Sequence, residues 1–159
     1  MTQPIFTPPL EFAFRIRLDF PPGARSRFAL PGGTLRGYVP VIGGTVTGPR
    51  LNGTVIAHSG GDWPLIRPDG VIAFDARYLI HAEDGTPIQV FNRGYAHAPA
   101  HIQARIEAGE PIDPADNYFR ISPVFEAPGG PHDWLTRTVF AGTGEKHADH
   151  SFFDVFAVG

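Results

Sequence analysis

The chain has 159 residues with a formal net charge of -3 and an isoelectric point near 6.1, a length that suits one domain (1–159) whose core needs no covalent staples. Its 13 basic residues are scattered and outnumbered by 16 acidic ones, which argues against nucleic acid as a partner. Without cysteine, disulfides, thiolate nucleophiles and Cys-ligated metals are excluded.

The 19 glycines and 17 prolines recur at short intervals, a punctuation that favours an all-β sandwich or barrel over α/β layers. Residues 10–18 alternate: Leu10, Phe12, Phe14, Ile16 and Leu18 face one side, Glu11, Ala13, Arg15 and Arg17 the other. This predicts a half-buried strand. The stretch 21–33 is loose and rich in Pro and Gly. A strand is expected over 35–42, then a second one, opened by Gly43-Gly44, over 45–47. Gly48-Pro49 breaks that strand and 51–57 continues it, as at a barrel corner.

Further strands are predicted over 65–67, 71–81 and 87–93, with Asp69-Gly70 and Glu83-Asp84-Gly85 as hairpin turns. One helix is expected: Pro99 suits a first turn, Ile102 and Ile106 share a face, and Gly109 can end it. Strands over 117–125, 135–141 and 151–158 complete the chain. There is no repeat, low-complexity segment or linker. No apolar run approaches membrane-spanning length, and MTQPIFTPPLEFAF lacks the pattern of a secretory leader. The expectation is a cytoplasmic protein with no membrane partner.

Several short motifs occur in order: Gly43-Gly44-Thr45, Gly48-Pro49-Arg50-Leu51, Gly60-Gly61-Asp62-Trp63, Arg67-Pro68-Asp69-Gly70, Asp75-Ala76-Arg77-Tyr78 and Asn92-Arg93-Gly94-Tyr95. Tyr118-Phe119-Arg120, Trp134-Leu135-Thr136-Arg137 and Gly142-Thr143-Gly144-Glu145 follow. Together they resemble the DUF3237 family, also called UPF0311, over nearly the whole chain. The resemblance implies a single antiparallel β-barrel, lipocalin-like, with one short helix, and a general function that is not established. Thr136 departs from the family pattern, which has Asn there.

The strand after Gly70 poses the functional question. Val71, Ala73, Asp75, Arg77 and Leu79 share one face; Ile72, Phe74, Ala76, Tyr78 and Ile80 share the other. The second face is bulkier, so one reading packs it inward and leaves Asp75 and Arg77 as a surface pair. In the other reading the charges line a pocket, as small barrels allow. Recurring charges on other strands favour the pocket: Arg93 beside Asn92, Arg120 and Glu126 on the face of Tyr118, and Arg137 after Trp134. Convergent arginines could hold an enolate, phenolate or carboxylate. Asp75 or Glu126 would then act as acid or base, and Tyr118 would donate a proton. Structural ion pairs around the rim are the alternative.

Asp62-Trp63 lies in a Gly-rich loop, where the indole can wall a planar ligand, and Trp134 can do so from another side. His147 and His150, or His97 and His101, lack an obvious third ligand for a metal. Gly142-Thr143-Gly144-Glu145 is no phosphate loop, and no Gly-x-Ser-x-Gly elbow is present. The sequence therefore predicts no metal and no cofactor.

The expected function is acid/base catalysis (isomerisation, cyclisation, hydration or dehydration) on a small aromatic or polyketide-like molecule. The catalytic residues would be Asp75, Glu126 and Tyr118. The substrate would be held by Asp62, Trp63, Arg77, Asn92, Arg93, Arg120, Trp134 and Arg137. A non-catalytic carrier or sensor, or a structural protein, has the same signature. Aromatics at outward parity leave room for a homodimer.

Overall fold

Short alternating runs joined by tight turns bury their apolar faces most simply when each strand pairs with its sequence neighbours until the sheet closes. The computed structural model, which describes residues 1–23 and 26–159, does this. Its strands are β1 (Leu10–Asp19), β2 (Ser26–Ala29), β3 (Leu35–Pro40), β4 (Gly43–Thr47), β5 (Gly53–Val55), β6 (Gly61–Asp62), β7 (Leu65–Ile66), β8 (Ile72–Ala82), β9 (Pro87–His97), β10 (Tyr118–Glu126), β11 (Phe140–Lys146) and β12 (His150–Val158). Helix α1 (Ala100–Glu107) lies between β9 and β10.

Eight staves close the ring, because β3–β4 and β5–β6–β7 are single bent paths and β2 only extends the edge of β3. One edge of β8 meets β5, β6 and β7 in turn, at Val55↔Ile80, Asp62↔Ala76 and Leu65↔Ala73. Its other edge pairs with β9 from Ile72↔Ala96 to His81↔Pro87. The sheet then runs through β10, β11 and β12 and closes on β1. All pairs are antiparallel, so this is a closed up-and-down β-barrel. The bend at Gly44, φ +148°, needs glycine: a Cβ there would lie 1.9 Å from the Arg17 carbonyl oxygen.

One half of the interior is solid. Phe125 meets Phe14 and Phe140 edge-on at 5.7 and 5.1 Å, and Trp134 seals that end against Phe140 at 5.7 Å. Tyr78, Ile80, Ile88 and Val90 are fully buried beside them. The other half, at the β2–β3 end, is where the cavity lies.

The structure corrects several element expectations. In β1 the register shifts between Phe12 and Phe14. Ala13 is a bulge, so Phe14, Ile16 and Leu18 point inward while Leu10 and Phe12 are exposed. Residues 133–137 form a 3₁₀ turn in place of the strand expected from 135. There Thr136 and Thr138 donate hydroxyl hydrogen bonds to the carbonyls of Asp133 and Trp134, both at 2.7 Å, which closes the backbone on itself. Thr136 thus has a local structural partner. The loose stretch contains β2, paired to β3; its Ala24 and Arg25 lie outside the described residues. Asp62, expected in a loop, belongs to β6.

Candidate functional site

Strand parity builds the cavity. Inward-facing Leu18, Val39, Val41, Phe74, Ala76, Phe119, Ile121 and Phe153 line it with Phe20, and the polar exceptions are Asp62, Asn92, Lys146 and Ser151. Its volume is about 70 Å³, below the roughly 150 Å³ of an apolar cavity that takes benzene. It can therefore enclose a head group, with a larger body left at the open end. Phe74 stacks on Phe119 at 4.8 Å, and Phe153 meets Phe119 edge-on at 5.8 Å. The Phe119 ring overlies Gly144, where a Cβ would lie 2.4 Å from it. That glycine is what lets the ring lie flat on the wall.

Asp62, Ala76 and Asn92 occupy one transverse row across β6, β8 and β9. Adjacent strands lie about 4.8 Å apart, so the Asp62 and Asn92 backbones are about 10 Å apart. The small Ala76 side chain leaves a gap between the two polar groups. Asn92 is 3% exposed, and its Oδ1 has no hydrogen-bond partner among the described residues. One diagonal step deeper, Tyr78 is wholly buried and its hydroxyl is likewise unpartnered.

Asp62 faces the cavity and is surrounded by protein elsewhere. Burial pushes its carboxyl up to about 6, against the pull of the Asp75 amide and the Lys146 charge. The Asp75 N–H donates to its Oδ1 at 3.1 Å, which fixes the group. Burial, reinforced by the Asp62 charge, drives the Tyr78 phenol upward, so it stays a neutral hydroxyl. Lys146, the last residue of β11, has the inward parity of Gly142 and Gly144 and stands exposed at the rim. The site is thus a carboxyl whose proton is exchangeable near neutrality, facing an amide across an apolar gap.

The residues expected to converge do not all do so. Asp62 and Asn92 line the cavity. Trp63 is at the open end, its ring 5.1 Å from Tyr38 and its carbonyl accepting from Arg36 Nη1 at 2.9 Å. Asp75, Arg77 and Arg93 lie on the outer wall, where Asp75 is 3.7 Å from Arg77 and 3.6 Å from Arg93. Tyr118 and Arg120 also face outward; Tyr118 stacks on His97 at 4.8 Å and carries the Arg120 guanidinium at 5.2 Å. Glu126 is exposed on the same face of β10.

Arg137 pairs with Asp133 at 3.0 Å on the surface, and Trp134 closes the opposite end of the barrel under Arg50, 3.8 Å from its ring. The expectation of an internal cavity lined by Asp75, Arg93, Tyr118 and Arg120 is therefore corrected. The physical reason is volume and solvation: the bulky face of β8 fills the barrel, and charges keep their hydration outside.

Sequence reasoning missed Tyr78 and Lys146. Tyr78 was marked by its place on the bulky face of β8, and Lys146 by being the sole lysine. A second, open groove of about 270 Å³ lies on the outer wall under Pro114. Its Arg15 and Asp154 already satisfy each other in a two-pronged pair at 2.6 and 2.8 Å.

Comparison with known proteins supports this architecture. A UPF0311 protein of Rhodopseudomonas palustris strain TIE-1 is 32% identical over 152 residues, covering 96% of this chain and 99% of that one. The crystal structure of a conserved protein of unknown function from Rhodopseudomonas palustris superposes with a TM-score of 0.87 at 31% identity, with both chains fully covered. A β-barrel-like protein of Acinetobacter baumannii gives 0.83 at 26%, again with full coverage of both chains. An enzyme from Penicillium herquei, fully covered as well, gives 0.71 at 21%, a likeness of fold. The family described as "Protein of unknown function (DUF3237)" matches residues 8–158, and the chain therefore belongs to the DUF3237 family.

Proposed function

We propose that the barrel binds a small molecule through the open end of its cavity and moves a proton on it with its own side chains. Asp62 is the proton carrier; Asn92 and the apolar walls hold the head group; Trp63 flanks the body that stays outside. The observation that carries this reading is Asp62 itself. It is a carboxyl fixed by a backbone amide, set in the wall of a mostly apolar cavity, and raised to about 6. Burying such a group is costly, and a carboxyl poised near the working pH suits general acid/base chemistry.

Isomerisation, cyclisation and hydration or dehydration all need such a step. The volume admits only one end of a ligand, and the Phe74, Phe119 and Phe153 walls favour an aromatic or polyketide-like one. Asp75, Glu126 and Tyr118 have no part in this scheme, since they face away from the cavity.

The test is a panel of phenols and enones screened by thermal shift, followed by deuterium wash-in at the ligand carbons in D₂O. Asp62→Asn is expected to bind the same ligands within about threefold and to lose exchange by roughly 10²-fold or more. Glu126→Gln should match the wild type in both. Undiminished exchange in Asp62→Asn would sink the catalytic reading. Binding without exchange in the wild type would make the barrel a carrier.

A further inference from the structure

We infer that Lys146 is the oxyanion partner of Asp62, and that the two select the acyl end of a 1,3-dicarbonyl compound. This rests on Asp62 being the proton carrier. From β6 to β11 the sheet passes through β8, β9 and β10 in one direction, and through β3–β4, β1 and β12 in the other. Asp62 and Lys146 therefore stand on opposite walls of the ring. An eight-strand barrel is just wide enough inside for side chains to fill, so a small group between these walls meets both.

Among the described residues, Asp62 and Lys146 are the charged ones of the lining, and Lys146 is the sole lysine among 13 basic residues. A compact ammonium with three donors suits a single oxygen, where a guanidinium fork suits a carboxylate. Its register partner Ser151, buried and also in the lining, puts a hydroxyl on the same wall. The Lys146 charge is felt at Asp62 across the space between them.

These positions favour one direction of charge movement. The Asp62 carboxylate takes a proton from the carbon between two carbonyls. The C–H bond breaks, an O–H bond forms on Asp62, and the electron pair passes to a carbonyl oxygen as an enolate. Negative charge thus leaves a desolvated wall and comes to rest on an oxygen at the ammonium. Return of the proton to carbon or to oxygen restores the carboxylate, with no oxidant, reductant or co-reactant. A carboxylate is base enough for a carbon flanked by two carbonyls and too weak for a simple ketone. An acyl end, one carbonyl with the carbon on either side, is smaller than a benzene ring and suits a cavity of about 70 Å³. Inserted, it brings the acidic carbon to Asp62 and turns the carbonyl nearer the rim towards Lys146.

The experiment follows deuterium wash-in at C2 of ethyl 2-methylacetoacetate in D₂O by proton NMR, with the full chain, from about pD 5 to 9. Lys146→Met is expected to slow exchange by about tenfold or more, and Lys146→Arg, which restores the charge, to bring it back within about threefold of wild type. Lys146→Met should also move the acid limb of the profile, set by Asp62 at about 6, to higher pH, and Lys146→Arg should leave it in place. Asp75, the other charge felt at Asp62, is the same in all three proteins. A lysine that only shaped the rim would leave the limb where it is.

Undiminished exchange in Lys146→Met, a slowing that Lys146→Arg does not reverse, or an acid limb that stays put in Lys146→Met overturns the inference. So does a wild type that exchanges phenols or enones but not the dicarbonyl. In each of these cases, loss of exchange in Asp62→Asn shows that the proton carrier stands without Lys146. Undiminished exchange in Asp62→Asn, or none in the wild type with any ligand, removes the proton carrier and this inference with it.

Discussion

Asp62 shows how a site residue trades stability for reactivity. Its carboxyl titrates near 3.8 in the unfolded chain and at about 6 in the barrel. Below pH 4 both states hold the proton and the group is neutral to folding. Between pH 4 and 6 the folded chain binds it more tightly, so stability falls as pH rises through this window. Above pH 6 the loss is complete, on the order of 3 kcal/mol from the shift of about two units. Asp62→Asn keeps the acceptor for the Asp75 amide and removes the charge. It should raise the urea-unfolding free energy by about 2–3 kcal/mol at pH 8 and leave it nearly unchanged at pH 4. An equal effect at both pH values would mean that packing, and not the charge, is responsible. Asp62 and Asn92 were marked in the sequence as polar groups beside apolar runs. The same rule singled out Asp75, Arg93 and Glu126, because a polar residue at a strand position signals an exception without saying which side it faces.

At the scale of the element, parity decides everything and is easily inverted. A one-residue change exchanges the two faces of a strand. The Ala13 bulge does so within β1: Leu10 and Phe12 are at outward parity though the residues that follow alternate as expected. On β8 the alternation itself was legible, but the charged face could be placed inside only if the bulky face were covered from outside. β11 carries the complementary device. Gly142 and Gly144 occupy inward positions, and the Ile121 and Phe119 side chains fill the space their missing side chains leave. Gly144→Ala puts a methyl against a ring already held by Phe74 and Phe153, and should cost roughly 1–3 kcal/mol in denaturant unfolding. Combined with Phe119→Leu the two costs should be less than additive. Full additivity would show that the Phe119 contact is not what the glycine serves.

Across the whole molecule, stability should be graded from the closed end to the open one. The aromatic cluster of Phe14, Phe125, Phe140 and Trp134 anchors one end, and β8 is paired along both edges. Among the described residues β2 is paired only to β3, and all of its residues are exposed. Hydrogen exchange read by mass spectrometry should therefore find the hydrogen-bonded amides of β2 exchanging about 10²-fold or more faster than those of β8 and β9. Protection in β2 equal to that of β8 would mean that the open end is as rigid as the core, leaving no mobile edge for a ligand to pass. No helix among the described residues is long and apolar enough to cross a membrane.

By itself the sequence determined the class of fold, the hairpin turns at Asp69-Gly70 and Glu83-Asp84-Gly85, the one helix after Pro99 and, through its motifs, the family. These are local properties: turn chemistry, period-two alternation and helix-breaking residues act over a few positions. Only the tertiary structure decided which face of each strand is the inside, and so which polar residues meet. Asp62 and Asn92 are thirty residues apart and become neighbours across Ala76 because three strands align in one register. Asp75 and Arg93 align in the same sheet and end outside. Closure of the barrel makes that choice, since its interior has room for the bulky face of β8 and the free energy of hydration keeps the charged one in water.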